Sequence, residues 1–362
     1  TLVYTVCEVT ETDSIPLFQL LAEPTEAMAD NSRALNLPKC LYVETTNRCN
    51  LRCRTCIIYR GGWEPERDFS LEELIMISEQ LPDLERAVLH GIGEPLLNRD
   101  LTEMIRHLKN KNVTVLFNTN GILLNEQQQE KLIDSQVDEI RISLDAASSN
   151  GYKAVRDSDK FDLIVNNLQA MTKRLQSRNL SQPKLSLWFL GNQENITELP
   201  ELIEIAALMG IREIHLQRLV YFLDDEGYGL AKARSSLTDP DLKVSQLIHR
   251  CLERARELGI SFSASGLTDP VHSVKGSPPD SAPWKRCFRP WEVVYITAQG
   301  NVLPCCISPF STVDYSSIIL GNIFERPLGE IWLGEKYQDF RKRHQTGTPP
   351  KCCQGCGIWW SL

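Results

Sequence analysis

After an N-terminal extension over residues 1–40, the pattern of apolar and polar positions alternates between β-like and helix-like segments. Residues 41–46 (Leu-Tyr-Val-Glu-Thr-Thr) read as a strand that runs into a group of cysteines. Residues 70–80 have the apolar spacing of a helix, with Ser70 as N-cap and Glu73 completing a capping box. The alternation then predicts strand 87–90, helix 100–110, strand 113–118, helix 125–135, strand 139–144, helix 161–177, strand 184–190, helix 197–209, strand 212–217 and a long helical stretch over 240–258. Such a succession of strand–helix pairs specifies an α/β fold with a parallel sheet.

An open doubly wound sheet and a partial (β/α)6 TIM-like barrel both satisfy this rhythm. The barrel is preferred because polar and glycine-rich signals recur after almost every strand, which gathers them at the strands' C-terminal ends. Residues 266–284 are rich in Gly, Pro and Ser (Gly266, Pro270, Gly276, Pro278, Pro279, Pro283) and read as a linker. Beyond it the βα rhythm stops and cysteine density rises. The expected division is an extension 1–40, a barrel 41–258, a linker 259–285 and a small cysteine-rich domain 286–362 with a β-hairpin. No internal repeat is visible.

Composition narrows the function classes. A chain of 362 residues supports two domains, and a net charge of −8 argues against a nucleic-acid partner, which needs a basic surface. The basic stretch Arg341-Lys342-Arg343-His344 is short and falls at an expected helix end, so it reads as a solvated face. No apolar run reaches the length of a membrane span, and no secretory signal is visible. Twelve cysteines in such a chain point to a reducing, cytoplasmic setting and to metal ligation rather than disulfides.

The cysteines carry the chemistry. Cys49-Asn50-Leu51-Arg52-Cys53-Arg54-Thr55-Cys56 places three thiolates on one short loop. Three thiolates can hold three corners of a [4Fe–4S] cluster and leave the fourth iron open as a binding site; a structural zinc loop is the other use of such a triplet. A second group comprises Cys287, Cys305, Cys353 and Cys356. Its first two flank a predicted hairpin with Gln299-Gly300-Asn301 at the turn, and the four together suffice for one fully coordinated cluster or for a zinc ribbon.

The C-x3-C-x2-C spacing resembles that of the radical S-adenosylmethionine (SAM) superfamily, and the second group resembles its SPASM/twitch extension. Gly321-Asn322-Ile323 and Leu328-Gly329-Glu330-Ile331-Trp332 match the extension's usual connecting segment, so the resemblance covers roughly residues 41–362. It implies that Cys49, Cys53 and Cys56 hold a SAM-binding [4Fe–4S] cluster. Cys287, Cys305, Cys353 and Cys356 then hold a single auxiliary cluster of the shorter, twitch kind, with Cys352 open as a substitute for Cys353. Gly91-Ile92-Gly93-Glu94-Pro95 is similar to the family's GGEP motif, with Ile92 in place of one glycine. This implies methionine-amine contacts at Gly91, Gly93 and Glu94. Asn118, Ser143 and Asp145 look like ribose and carboxylate contacts, Arg156 pairs with the SAM carboxylate through its planar fork, and Gly191 lies where adenine is held. Thr55 departs from the aromatic residue usual before the third cysteine, which leaves Ile57 or Tyr59 to take its place.

The resemblance further implies a 5′-deoxyadenosyl radical and an external electron donor such as flavodoxin or ferredoxin. The stretch ahead of Leu41 looks too short for the leader-peptide-binding domain of many peptide maturases. The expected substrate is therefore a small polar molecule of the sugar or aminocyclitol type, taken to epimerisation or dehydrogenation. The alternatives are a maturase of a ribosomally made peptide and a non-catalytic iron–sulfur or zinc-binding module. Cys7, Cys40, Cys251, Cys306 and Cys352 remain as thiols that could return a hydrogen atom, although a spare cysteine more often packs as a small hydrophobe.

Overall fold

The computed structural model describes residues 36–219, 242–264 and 287–354, together with Leu237 and Trp284. Cys7, Cys356 and residues 265–283 of the expected linker lie outside the described residues.

Among the described residues one ten-stranded sheet forms. Its strands are β1 Cys40–Val43, β2 Arg86–Val88, β3 Thr114–Thr119, β4 Glu139–Ser143, β5 Lys184–Gly191, β6 Glu213–Arg218, β7 Ser261–Ala264, β8 Val293–Ile296, β9 Asn301–Leu303 and β10 Gly321–Asn322. They lie side by side in the order β10-β9-β8-β1-β2-β3-β4-β5-β6-β7. Strands β1 to β7 pair in parallel, β8 pairs in parallel with β1, and β9 and β10 are antiparallel additions. Helices α1 Leu71–Ser78, α2 Leu101–Asn110, α3 Glu126–Asp134, α4 Ser149–Arg156, α5 Phe161–Ser177, α6 Leu199–Met209 and α7 Leu242–Glu257 make the crossovers. This is the partial TIM-like barrel preferred for the polar and glycine-rich signals at its strand ends.

Local chemistry explains the helices. The Ser70 hydroxyl accepts from the Glu73 N–H at 3.2 Å and the Glu73 carboxylate accepts from the Ser70 N–H at 2.8 Å, so the expected capping box starts α1. Helix α4 is an addition to the expected pattern. Ser148 caps it by accepting from Gly151 N–H at 3.0 Å, and its Tyr152 is fully buried.

The two faces of the sheet differ. The outward face packs Leu41, Val43, Ala87, Leu89, Val115, Phe117, Ile140, Ile142, Leu187, Phe189, Ile214 and Leu216 into the main core. The inward face alternates with it and is largely polar. Pairing aligns Cys40 with Arg86, then Asn118 with Arg141, Ser186 and Glu213, and then Ser143 with Trp188, His215 and Ser263. Barrels with packed interiors fill such positions with branched aliphatics; this one keeps one apolar layer, Tyr42, Val88 and Leu116, and otherwise lines its inward face mostly with hydrogen-bonding groups.

Two placements differ from expectation. The parallel strand β7 falls inside the segment read as linker. The cysteine-rich region also does not stand apart, because its first strand, β8, extends the barrel sheet beside β1. The predicted hairpin is present as β8 and β9, and Gly300 turns it with φ of 80° and its N–H bonded to the Thr297 carbonyl at 2.9 Å.

Candidate functional site

The cysteine loop leaves the C-terminal end of β1 and is clamped on both sides. Asn47 accepts from the Arg67 N–H at 2.7 Å and donates to the Pro65 carbonyl at 2.7 Å. Arg48 forks onto Asp68 at 2.9 and 2.5 Å, and Thr46 donates to the same carboxylate at 2.7 Å. Within the loop the Cys56 N–H meets the Cys53 carbonyl at 3.0 Å, the Leu51 N–H donates to Cys49 Sγ at 3.4 Å, and Leu51 and Ile57 anchor it in the interior. Burial pushes the Cys49 thiol to about 11 and the Cys56 thiol to about 12, and the neighbouring cysteines add to both shifts. Crowded buried thiols of this kind ionise when a cation arrives to neutralise them. The donor set, three sulfurs on one loop, fits a [4Fe–4S] cluster with one iron left for an exogenous ligand.

The loop after β2 is pressed against this cysteine loop. A Cβ at Gly93 would overlap the carbonyl oxygens of Thr46 and Arg48, and one at Gly91 would overlap the Glu44 side chain. The room both glycines leave is filled by protein. Glu94 turns inward: its carboxylate accepts from the Thr119 hydroxyl at 2.8 Å, the Asn120 N–H at 2.7 Å and the Leu96 N–H at 3.1 Å. Burial raises its pKa while these three donors oppose the shift. Asn120 in turn donates to Asn50 at 2.7 Å, so the β3 terminus is tied to the cysteine loop.

Asp145 and Arg156 form a buried ion pair, and Asp145 also accepts from the Leu190 N–H at 2.8 Å. Arg156, the last residue of α4, reaches Cys53 Sγ at 3.5 Å. Burial alone would lower its pKa, but Asp145 and Cys53 hold it above the usual range. Both groups therefore have protein partners, and Arg156 stands beside the cysteine loop. Asn118 and Ser143 lie half-buried on the inward face, and Gly191 is buried, with space for a Cβ blocked by Leu216. Of the positions left to replace the missing aromatic, Ile57 is buried and Tyr59 is exposed.

In the C-terminal region Cys287, Cys305 and Cys353 lie within electrostatic reach of one another, with Cys352 Sγ 3.9 Å from Cys353 Sγ. Arg289 is buried beside Cys287, Cys306 and Cys305. The fourth expected ligand, Cys356, is outside the described residues. Among the described residues, no three His, Cys, Asp or Glu side chains converge on one ion-sized point, and the described cysteines are free thiols. Of the spare cysteines, Cys251 packs in the core, whereas Cys40 starts the inward face and Cys306 lies next to it.

Glu44 went unnoticed in the sequence. It is buried at the end of β1 and accepts from the Ile92 N–H at 2.6 Å, the Ala298 N–H at 3.1 Å and the Tyr295 hydroxyl at 3.4 Å. It thus joins the loop after β2 to the β8–β9 hairpin, and burial pushes its pKa to about 7. Arg86, His90 and Arg141 of the lumen also went unnoticed; the signal was there in the polar positions that alternate with Ile140, Ile142 and Leu144 along β4.

Comparison with known proteins agrees with this anatomy. The Radical SAM superfamily matches residues 43–206, and the SPASM iron–sulfur cluster-binding domain matches residues 287–357. A tungsten-containing aldehyde ferredoxin oxidoreductase cofactor-modifying protein of Pyrococcus furiosus is 22% identical over 327 residues, covering 87% of this chain and 86% of its own. A PqqA peptide cyclase of Granulibacter bethesdensis is 25% identical over 327 residues, covering 88% and 79%. The structure of Streptococcus suis SuiB bound to precursor peptide SuiA superposes with a TM-score of 0.65 at 16% identity, covering 91% of this chain and 72% of that one. Two of these three proteins have a peptide as their named substrate or bound partner, and none has a sugar or an aminocyclitol. The expectation of a small sugar-type substrate taken to epimerisation or dehydrogenation is corrected accordingly. No described helix is long and apolar enough to cross a membrane. The chain belongs to the radical SAM superfamily and carries a C-terminal SPASM domain, and so is an enzyme that works with SAM and with [4Fe–4S] clusters, one SAM-binding and one auxiliary.

Proposed function

We propose that the enzyme is a maturase that modifies a ribosomally made peptide by abstracting a hydrogen atom from one of its residues. The observation that carries this reading is the match to the PqqA peptide cyclase, which extends over 88% of this chain and spans both the barrel and the cluster domain. When bound, the cluster and SAM supply the one-electron chemistry that opens a C–H bond.

The residues of the chain divide the remaining work. Cys49, Cys53 and Cys56 hold the first cluster, and Cys287, Cys305, Cys353 and Cys356 hold the auxiliary one. Asn118 and Ser143, on the inward face at the strand ends, are placed to touch SAM. Glu94, Asp145 and Arg156 act through their protein partners: they fix the strand ends and the cysteine loop in one arrangement, so that the SAM site is preorganised. Gly91, Gly93 and Gly191 allow the close packing this needs. The peptide enters at the strands' C-terminal end and lowers a side chain into the polar lumen. A flavodoxin or ferredoxin supplies the electron.

The test is an anaerobic assay of the reconstituted enzyme with SAM and reductant against a panel of peptides and a panel of sugars. Peptide-dependent release of 5′-deoxyadenosine, with a change in peptide mass, is the expected result. Stimulation by sugars and by no peptide would sink the reading.

A further inference from the structure

Glu139 and Glu213 face the lumen together with Arg86 and Arg141, and the two arginines are not held alike. Glu139 is fully engaged by Arg141: Oε1 accepts from Arg141 Nε at 2.9 Å and from the Ser186 hydroxyl at 2.9 Å, and Oε2 accepts from Arg141 Nη2 at 3.0 Å. Arg141 also lies 4.3 Å over the Trp188 ring, which stands 4.2 Å from His215. That network is closed. Arg86, at the floor of the lumen on β2, is outside it, and its Nε and Nη2 are shielded from solvent with no hydrogen-bond partner among the described residues. Four residues further along the same inward face, His90 Nδ1 is shielded and without a partner as well. A guanidinium stays charged in a protein, and buried N–H donors left unpaired are costly. Shielded donors of this kind inside a barrel call for a ligand or an ordered water to pair with them.

We propose that Arg86, with His90 above it, forms a carboxylate-binding subsite in the barrel lumen that takes the acidic side chain of the substrate. A carboxylate suits the guanidinium because the planar fork offers two parallel N–H donors to two oxygens. At a rise of about 3.3 Å per residue, Arg86 and His90 stand roughly 13 Å apart along the strand. That is farther than a single Glu or Asp side chain reaches, so its carboxylate pairs with the Arg86 fork and does not bridge to His90. His90 adds a neutral ring at the entrance, since burial first and Arg141 second push its pKa down to about 4. This inference deepens the peptide reading and, in naming an acidic residue of a peptide, rests on it; a free dicarboxylate offers the same chemistry.

The experiment uses the holoenzyme with both clusters reconstituted and SAM bound. Calorimetric titrations compare a capped pentapeptide of one glutamate among alanines, its glutamine twin, and free glutarate. The wild type should bind the glutamate peptide about tenfold tighter than the glutamine twin. Arg86→Gln should bring that ratio near one, and Arg86→Lys, which keeps the charge but loses the fork, should retain part of it. Unchanged SAM affinity and melting temperature show that each variant is folded, and the lysine variant carries the test if the glutamine one is not. Glutarate bound in an Arg86-dependent way, with neither peptide bound, would keep the carboxylate subsite and overturn the peptide reading. Peptides modified in the turnover assay, with no Arg86-dependent preference for a carboxylate in any probe, would overturn the subsite and leave the peptide reading standing. If neither behaviour is seen, Arg86 closes the barrel floor and binds nothing.

Discussion

Single residues here act chiefly by holding loops together, and Glu44 shows how strongly. Its ordinary value of 4.5 rises to about 7, because burial outweighs the two backbone N–H groups and the Tyr295 hydroxyl that bond to it. Between those two values the folded protein binds a proton that the unfolded chain has released. The stability from this group is complete below about pH 4.5 and is lost as pH rises through about 7, with a difference on the order of 3 kcal/mol. Glu44→Gln lacks that titration. The wild type should therefore lose melting temperature relative to the variant between about pH 5 and 8, as anaerobic thermal scans would show; parallel curves would mean the carboxyl is ionised throughout. Gly93 makes the opposite kind of demand. A methyl group there meets two backbone carbonyls rather than a movable side chain, so Gly93→Ala should cost about 1–3 kcal/mol and loosen the cysteine loop. Chemical denaturation measures the first effect and iron retention in the presence of a chelator the second.

Whole elements fit or escape a reading of the sequence for reasons visible in them. Strands β3, β4 and β5 carry enough alternating or continuous apolar residues to be recognised, and α1 announces itself by its capping box. Helix α4 does not, because Ser149-Asn150-Gly151 is a poor helix former; the Ser148 cap and the burial of Tyr152 against Phe161, 6.1 Å away, supply what propensity lacks. Arg156 follows from that helix: as its last residue it reaches the cysteine loop. Strand β7 hides among turn-forming residues, and the β8–β1 pairing joins residues too far apart for any local window. The three cysteines were legible because their ligand spacing is local. The partners of Glu94 and Asp145 were not, because a carboxylate at a strand end looks the same whether it faces a cofactor or a neighbouring loop. The segment after the cysteine loop illustrates a non-local tie of this kind. Glu64 accepts from Thr297 at 3.2 Å, Asn301 at 2.6 Å and Tyr315 at 2.7 Å, and Trp63 stacks on Tyr315 at 5.2 Å. Glu64→Ala removes an acceptor from the buried Thr297 and the half-buried Asn301 and Tyr315 and should cost about 2–3 kcal/mol. Amide exchange over residues 305–318 should rise about tenfold while β4 and α5 stay protected; uniform exchange across both regions would show that the tie carries no local stability.

At the scale of the molecule, one sheet carries two cysteine groups, and the question is whether they load independently. The first group stands on a loop clamped by Asn47, Arg48 and Thr46, within the part of the sheet that β1 and β2 form. The second draws on residues on either side of the β8–β9 hairpin and on the short helix Lys351–Gln354. Between them lie strand pairing and the Glu44 and Glu64 ties, which are protein contacts and survive the loss of either cluster. Independence follows. The reconstituted wild type should hold about eight irons and eight sulfides, and replacing Cys49, Cys53 and Cys56 together by alanine should leave about four of each. Replacing Cys287, Cys305 and Cys353 should also leave about four, and only that protein should still show a spectroscopic change when SAM is added. Cys352→Ala should keep the wild-type count if Cys353 is the ligand, despite the 3.9 Å between their sulfurs. Complete loss of iron from either triple variant would mean that each cluster helps to fold the site of the other, and abundant zinc in the second site would replace the auxiliary cluster with a ribbon.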